Sequence, residues 1–345
     1  MSSEAEPAGA DRGQMSAANV TIAVAGVGGW GRNVLKSFGS VQGAQLVAVC
    51  DPDAGRLAAA SAQFPDARTV SDYAELLSDP ALDAIALATP AEMHYPMARA
   101  ALDVGKHVFV EKPLTLSAAD AEELVALADR AGRKLMVGHL LEYHPAIEVM
   151  KQQIESGEIG DVLYIATRRL NLGVIRRAEN AFWSLAPHDI SIVLYLLGQE
   201  PERVNAQGAC YVQRGIEDVV FANLTFADGK MAQIHVSWLD PRKVREIVVV
   251  GTRRMLVFDE TAAAKLVIHD KSATLDNGAV LLHNGPAVAA AIPNLPPLDI
   301  EAQHFIDSIR FDRTPRSDGR DGLRVVRVLE QVDRILRQAR VGAGA

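Results

Sequence analysis

Val20-Thr21-Ile22-Ala23-Val24-Ala25-Gly26-Val27-Gly28-Gly29-Trp30-Gly31 is an apolar run that ends in a G-x-G-x-x-G pattern. The run of Val, Ile and Ala predicts a buried strand, and the residues from Gly31 to Lys36 continue as a helix. A second strand, Gln45 to Cys50, ends at Asp51, 25 positions after Gly26. Such a glycine pattern is weak alone. Between a strand and a helix, with an acid at the next strand end, it reads as a dinucleotide fingerprint. Gly26 permits the tight turn, and Gly28 lets the backbone approach a pyrophosphate resting on the helix N-terminus. Gly29 and Trp30 complete the loop, and Gly31 allows close helix–strand packing. Asp51 is placed to accept bonds from ribose hydroxyls and repels a 2′-phosphate, so NAD is favoured over NADP. Arg56, a turn later, works against that preference.

Outward from this stretch, strand and helix alternate as far as about Gly138. Strands are expected at Asp83–Ala88, His107–Val110 and Lys134–Gly138. Helices are expected at Ala54–Ala62, Met97–Val104 and from an N-cap at Ser117. This is a doubly wound βαβ series. After Leu141 the pattern changes. Pro145 opens a helix to Ser156, and short alternating runs from Val162 to Phe258 read as strands. A helix is expected around Pro187–Leu197, a loop over Ala273–Ala291, and two late helices at Ile300–Phe311 and Asp321–Arg340. The expected fold class is α/β: an N-terminal doubly wound Rossmann domain plus a C-terminal α+β domain with a large, mostly antiparallel open sheet. The divisions are a disordered leader (1–19), an NAD-binding domain (20–142) and a second, α+β domain (143–341).

Composition narrows the function. The 345 residues are 49% hydrophobic and 23% charged, enough for two domains with real cores. The formal net charge of -8, without any basic stripe, argues against nucleic acid as partner. Cys50 and Cys210 make no disulfide framework, which fits a reducing cytoplasm. The first 19 residues lack the basic and apolar regions of a signal peptide, and no apolar run approaches a membrane span. The nine histidines show no HxH or HExxH spacing, so no metal site is indicated.

Two residues carry candidate chemistry. Lys112, in Glu111-Lys112-Pro113, stands at the end of a short apolar strand, where open parallel sheets bind ligands. A desolvated ammonium there has a lowered pKa and can move a proton near neutral pH. The same tripeptide reads equally as a strand end with a solvated Lys and a turn proline. His188, read as lying in the first turn of its helix, could take a proton from an alcohol as a neutral imidazole. Taken alone, it is as well explained as a capping or packing residue. Arg169, Asn171, Arg176 and Arg177 surround Gly173 and suit a diphosphate or carboxylate, or simply form a solvated edge and loop.

In order, the fingerprint, Ala88-Thr89-Pro90, Glu111-Lys112-Pro113, Val137-Gly138-His139 and His188 resemble the Gfo/Idh/MocA family, over Val20 to Gln338. Gly138–Ala146, Arg169–Gly173, Leu185–Ile190 and Ser237–Lys243 are similar to UDP-N-acetylglucosaminuronate 3-dehydrogenases. The resemblance implies NAD in the first domain and a sugar nucleotide between the domains, oxidised at C3. It implies Thr89, Pro90, His94, Glu111 and Lys112 around the cofactor, with Lys112 and His188 flanking the sugar hydroxyl. Tyr143, His144, Arg169, Asn171, Arg176 and Ser184 join His188 as substrate-binding candidates. It also implies a cis Lys112–Pro113 bond and a homodimer or homotetramer built on the open sheet face. One departure is clear: many relatives carry an acid four residues before the histidine, where this chain has Ser184. UDP-glucose, a free cyclitol or polyol, and a non-catalytic NAD-binding sensor are the alternatives.

Overall fold

Six parallel strands form the first sheet: β1 (Val20–Ala25), β2 (Ala44–Cys50), β3 (Arg68–Val70), β4 (Ala84–Leu87), β5 (His107–Glu111) and β6 (Leu135–Gly138). The structure, a computed structural model, describes residues 18–343, so all but the last two residues of the expected leader lie outside it. The strand order is β3-β2-β1-β4-β5-β6. Strand order reverses between β1 and β4, and the crevice above their carboxyl ends is where such sheets bind ligands. β4 is buried throughout, as a strand covered by helices on both faces must be. Asp53, Asp72 and Ser117 cap the helices Ala54–Gln63, Tyr73–Leu77 and Ala118–Ala131 with their side chains. Ser117 Oγ accepts from Asp120 N at 3.1 Å, and Gly132 ends the same helix, Ala118–Ala131, in the left-handed region at φ 62°.

The second sheet has eight strands: β7 (Val162–Leu170), β8 (Arg203–Ala209), β9 (Val219–Thr225), β10 (Met231–Ser237), β11 (Val244–Gly251), β12 (Met255–Asp259), β13 (Leu266–Asp276) and β14 (Ala279–Ala289). Their order is β14-β13-β12-β11-β7-β10-β9-β8, antiparallel except for the parallel pair β7–β10. One face packs under the helix Ala181–Leu197 around Ile190, Val193, Ile234 and Val249. The other face exposes Tyr164, Phe221 and Met231; Met231 lies beside Tyr164, and Phe221 stacks on His235 farther along β10.

The last two helices tie the halves together. Pro297–Arg310 returns to the first sheet, where Phe305 packs edge-to-face on Phe38 and Phe109 with centroids 6.0 and 5.9 Å away. Gly319–Ala343 packs on both Ala118–Ala131 and Ala181–Leu197. Among the described residues, no helix is long and apolar enough to cross a membrane.

Two expectations change. The stretch 273–291, expected as a loop, forms most of the β13–β14 hairpin. Its turn is Asn277-Gly278, with φ of 48° and 80°, the two left-handed residues of a type I′ turn. The helix bearing His188 also starts earlier than Pro187. Asn180 Oδ1 caps it, accepting from Phe182 N and Trp183 N at 3.1 Å each, and Pro187 lies inside it. His188 is therefore well within the helix rather than in its first turn.

Candidate active site

The glycine loop is built so that no side chain intrudes. Gly26 has φ +86°, and a Cβ there would lie 2.7 Å from the Ala88 carbonyl oxygen. A Cβ on Gly31 would lie 1.9 Å from the Gly26 carbonyl oxygen, whereas one on Gly29 would meet nothing within 4 Å. Gly31→Ala is therefore expected to push helix Gly31–Phe38 off β1, lowering the melting temperature and abolishing NAD binding together. Thermal scans with and without NAD check this; a stable variant that still responds to NAD would contradict it.

Asp51 is buried at the end of β2. Its Oδ2 accepts from Val27 N and its Oδ1 from Asp53 N, both at 2.9 Å, and Arg56 Nη1 lies 3.5 Å away. The carboxylate thus ties the glycine loop to the second strand end. A cleft of about 640 Å³ opens beside it, lined by Val27, Gly28, Gly29, Asp53 and Arg56. An open glycine backbone and an acid at the second strand end fit the pyrophosphate and ribose of a dinucleotide. Asp51→Ala is expected to weaken NAD binding by about ten- to a hundredfold, the value of a hydrogen bond to a charged group. Calorimetry would read this directly, and unchanged NAD affinity would remove the assignment.

The other end of the crevice is a cleft of about 430 Å³. The first domain contributes Trp30, Ala88, Thr89, Glu111, Lys112 and Gly138, while Leu140, Arg176 and His188 come from beyond the first sheet. Lys112 and His188, 76 positions apart in sequence, thus share one cleft. The Lys112–Pro113 bond is cis, and Lys112 Nζ donates to the Ser184 carbonyl oxygen at 3.4 Å. Burial pulls the Lys112 pKa below that of an ordinary lysine, against the opposing pull of Glu111 and Glu179. Burial, then the charges of Lys112 and Arg169, holds His188 well below the usual histidine range. Both effects favour the neutral imidazole, which can accept a proton, and among the described residues its buried Nδ1 has no hydrogen-bond partner.

Two residues hold this cleft in shape. Trp30 Nε1 donates to Glu111 Oε1 at 2.6 Å, joining the glycine loop to the end of β5. The His94 ring nitrogens lie 2.7 Å from the Pro113 carbonyl oxygen and 2.9 Å from that of Thr89. His94 thus sits between the Thr89-Pro90 and Lys112-Pro113 turns; burial favours its neutral form, whose single ring N–H donates to one of the two carbonyls.

Several substrate candidates are placed elsewhere. Arg169 Nε donates to Asp189 Oδ2 at 2.8 Å in a buried ion pair between β7 and the His188 helix. Asn171 Oδ1 accepts from Arg245 Nη2 at 2.7 Å. Tyr143 is buried, its hydroxyl 2.9 Å from Ser317 Oγ, and His144 caps helix Pro145–Glu155 while packing on the Phe258 ring. Ser184 meets Lys112 through its carbonyl oxygen. Arg176 is the guanidinium that lines the cleft.

Sequence reading missed a buried acidic group behind the cleft. His139 Nδ1 lies 2.7 Å from Asp321 Oδ2 and 3.4 Å from Glu142 Oε1, and Glu301 is fully buried nearby. The residues sit at scattered sequence positions, and only the apolar residues flanking them hinted at burial.

A Rossmann crevice with a fitted dinucleotide cradle, ending at a lysine and a neutral histidine, defines an NAD-binding oxidoreductase. Comparison agrees. Residues 20–139 match the oxidoreductase family with an NAD-binding Rossmann fold, and residues 147–257 match the GFO/IDH/MocA C-terminal domain. The chain belongs to the Gfo/Idh/MocA oxidoreductase family. It is 29% identical over 320 residues to UDP-N-acetylglucosamine 3-dehydrogenase of Acidithiobacillus ferrooxidans, spanning 90% of this chain and 95% of that protein. A solved structure of that enzyme superposes with a TM-score of 0.81 at 27% identity, over 92% of this chain and 97% of the other. The chain is also 31% identical over 233 residues to scyllo-inositol 2-dehydrogenase (NAD(+)) of Bacillus subtilis, 64% of this chain and 68% of that one. WlbA dehydrogenase from Bordetella pertussis, solved with NADH and UDP-GlcNAcA, shares the fold at 22% identity and a TM-score of 0.79, covering 93% and 96%.

Proposed function

We propose that the chain oxidises the C3 hydroxyl of a UDP-activated sugar, of the UDP-N-acetylglucosaminuronate or UDP-N-acetylglucosamine kind, to the 3-keto sugar nucleotide. The observation that carries this is one cleft shared by Lys112, His188 and Arg176. Similarity over nine-tenths of the chain to a UDP-N-acetylglucosamine 3-dehydrogenase supports the substrate class.

Oxidation of a CH–OH group removes a hydride from carbon and a proton from oxygen. NAD supplies the hydride acceptor. His188, held neutral, takes the hydroxyl proton. The Lys112 ammonium hydrogen-bonds to the same oxygen and stabilises its developing negative charge. Arg176 holds the diphosphate or a uronate carboxylate. With Ser184 in place of an acid, no carboxylate one turn before His188 shares the proton work, so the reaction depends more on Lys112. A 3-keto product is a substrate for transamination to a 3-amino sugar. The exposed Tyr164, Phe221 and Met231 make the open sheet face the surface for homo-oligomer contact.

A second reading, a cyclitol or polyol dehydrogenase, is favoured by one observation. Arg169 and Asn171 are already engaged, leaving fewer groups for a diphosphate. Mass spectrometry of products separates the two, with NAD and a panel of UDP-N-acetylglucosaminuronate, UDP-N-acetylglucosamine, UDP-glucose and scyllo-inositol. Loss of two hydrogens from a UDP-sugar supports the proposal. Oxidation of scyllo-inositol alone replaces it with the second reading.

A further inference from the structure

We infer that a second cavity, beside the reaction cleft, binds the nucleoside diphosphate half of the substrate, with Arg334 as a phosphate ligand. This rests on the sugar-nucleotide reading above and places the part of such a substrate that lies outside the reaction cleft.

The cavity holds about 550 Å³. It lies between Leu116, on the segment that follows Lys112-Pro113, Trp183 at the start of the His188 helix, Ile216 before β9, and the end of helix Gly319–Ala343. The reaction cleft is its neighbour. Arg176 lines that cleft, and its Nε lies 3.7 Å from Oε1 of Glu179, which lines the second cavity. Lys112 Nζ, in the reaction cleft, reaches the carbonyl oxygen of Ser184, the residue after Trp183. The two spaces thus adjoin across one ion pair and the first turn of one helix.

The charges inside leave one cation uncommitted. Glu179 pairs with Arg176. Glu217, 2% exposed, takes Asn180 Nδ2 at 3.0 Å and Arg340 Nη1 at 3.3 Å. Asp333 Oδ2 takes Arg337 Nη2 at 2.7 Å, and Glu330 Oε1 accepts from Ala118 N at 2.9 Å. Every acid that lines the cavity is therefore engaged. Arg334, among the described residues, has neither an ion pair nor a hydrogen bond. A guanidinium presents its donors in a planar fork that matches a phosphate. Across from it, the exposed Leu116, with Trp183 and Ile216, supplies an apolar wall for a flat ring. A free phosphate ligand beside an apolar wall is the chemistry that recognises a nucleotide.

Size points the same way. The reaction cleft, about 430 Å³, has to take the nicotinamide and the reacting sugar. A base, a ribose and two phosphates need further room, and the adjoining cavity offers it. Arg176, at the passage between the two, meets the sugar-side phosphate, and Arg334 meets the other. The diphosphate then needs neither Arg169 nor Asn171, both of which are engaged elsewhere.

The experiment titrates UDP into the protein by calorimetry with NADH saturating, so that the dinucleotide cleft is occupied. UDP is expected to bind. Arg334→Met keeps the aliphatic stem at an exposed helix position and removes the charge. It is expected to weaken UDP by about ten- to a hundredfold, the value of a hydrogen bond to a charged group. It should raise KM for the UDP-sugar far more than it lowers kcat. Leu116→Glu sets a carboxylate against the phosphates from the opposite wall and is expected to weaken UDP as well. Melting temperatures confirm that both variants fold. The product panel above judges the substrate reading separately. If a UDP-sugar is oxidised while Arg334→Met leaves both UDP affinity and KM unmoved, the subsite is overturned and the reading stands. If both variants weaken UDP but only scyllo-inositol is oxidised, the cavity remains a nucleoside diphosphate site and the reading falls. A native chain that binds no UDP overturns the subsite outright.

Discussion

Lys112→Met is expected to cut turnover by about 10²- to 10⁴-fold, the span of a positioned proton-transfer or charge-stabilising group, while NAD still binds. The asymmetry follows from placement. Lys112 lines the reaction end of the crevice, whereas Gly28, Gly29 and Asp53 line a separate cleft at the glycine loop. The pH profile carries a second signature. The ammonium form is the one that stabilises a developing alkoxide, and burial lowers the Lys112 pKa from 10.5. Activity of the native enzyme should therefore fall on the alkaline side, beginning below the value of an ordinary lysine. That limb should vanish in the methionine variant, since methionine has nothing to deprotonate. Single-turnover hydride transfer, followed by NADH absorbance, checks both points. Near-normal turnover in Lys112→Met, or an alkaline limb unchanged by it, would remove Lys112 from the chemistry.

The parts of this architecture that could be read in the sequence are those where local pattern and global fold agree. β1, the glycine loop and Asp51 form one contiguous pattern, each residue explained by the next, and the six-stranded sheet follows from its repetition. His188 was visible as a residue but misplaced on its helix. Pro187 resembles a first-turn proline, yet the cap is Asn180, whose signal was an ordinary polar residue before Phe182-Trp183. The hairpin after β12 was obscured because β14 is exposed along almost its whole length and shows no burial alternation, although Asn277-Gly278 marks its turn. Arg169 could not be assigned from sequence. A lone arginine on a strand looks like a ligand for an anion, and only the fold reveals that Asp189 already supplies one. The buried glutamates were the least legible, since an acid in an otherwise ordinary helix or turn gives no sign that its neighbours are also acids.

The Arg169–Asp189 pair supplies the second large effect. Both side chains are buried, 7% and 1% exposed, and the pair joins β7 to the helix one residue beyond His188. Asp189→Ala is expected to cost about 3–5 kcal/mol, because it leaves a buried guanidinium with only the longer, 3.8 Å approach of the half-exposed Glu260. Burying a pair of this kind takes both charges out of water, a cost that often cancels their attraction, so a well-packed apolar pair of similar size can replace it. Arg169→Met combined with Asp189→Leu should therefore recover most or all of the stability lost in the single variant, as read from denaturant midpoints. Its catalysis should not recover in the same way. Arg169 is among the charges that hold His188 neutral. Without it, His188 binds a proton more readily, less of it is in the basic form, and the acid limb of the rate profile moves to higher pH. A double variant as unstable as Asp189→Ala would show that the ion pair itself holds the fold. Recovered stability with an unshifted acid limb would show that Arg169 does not act on His188, and the pair would be left as a purely structural link between sheet and helix.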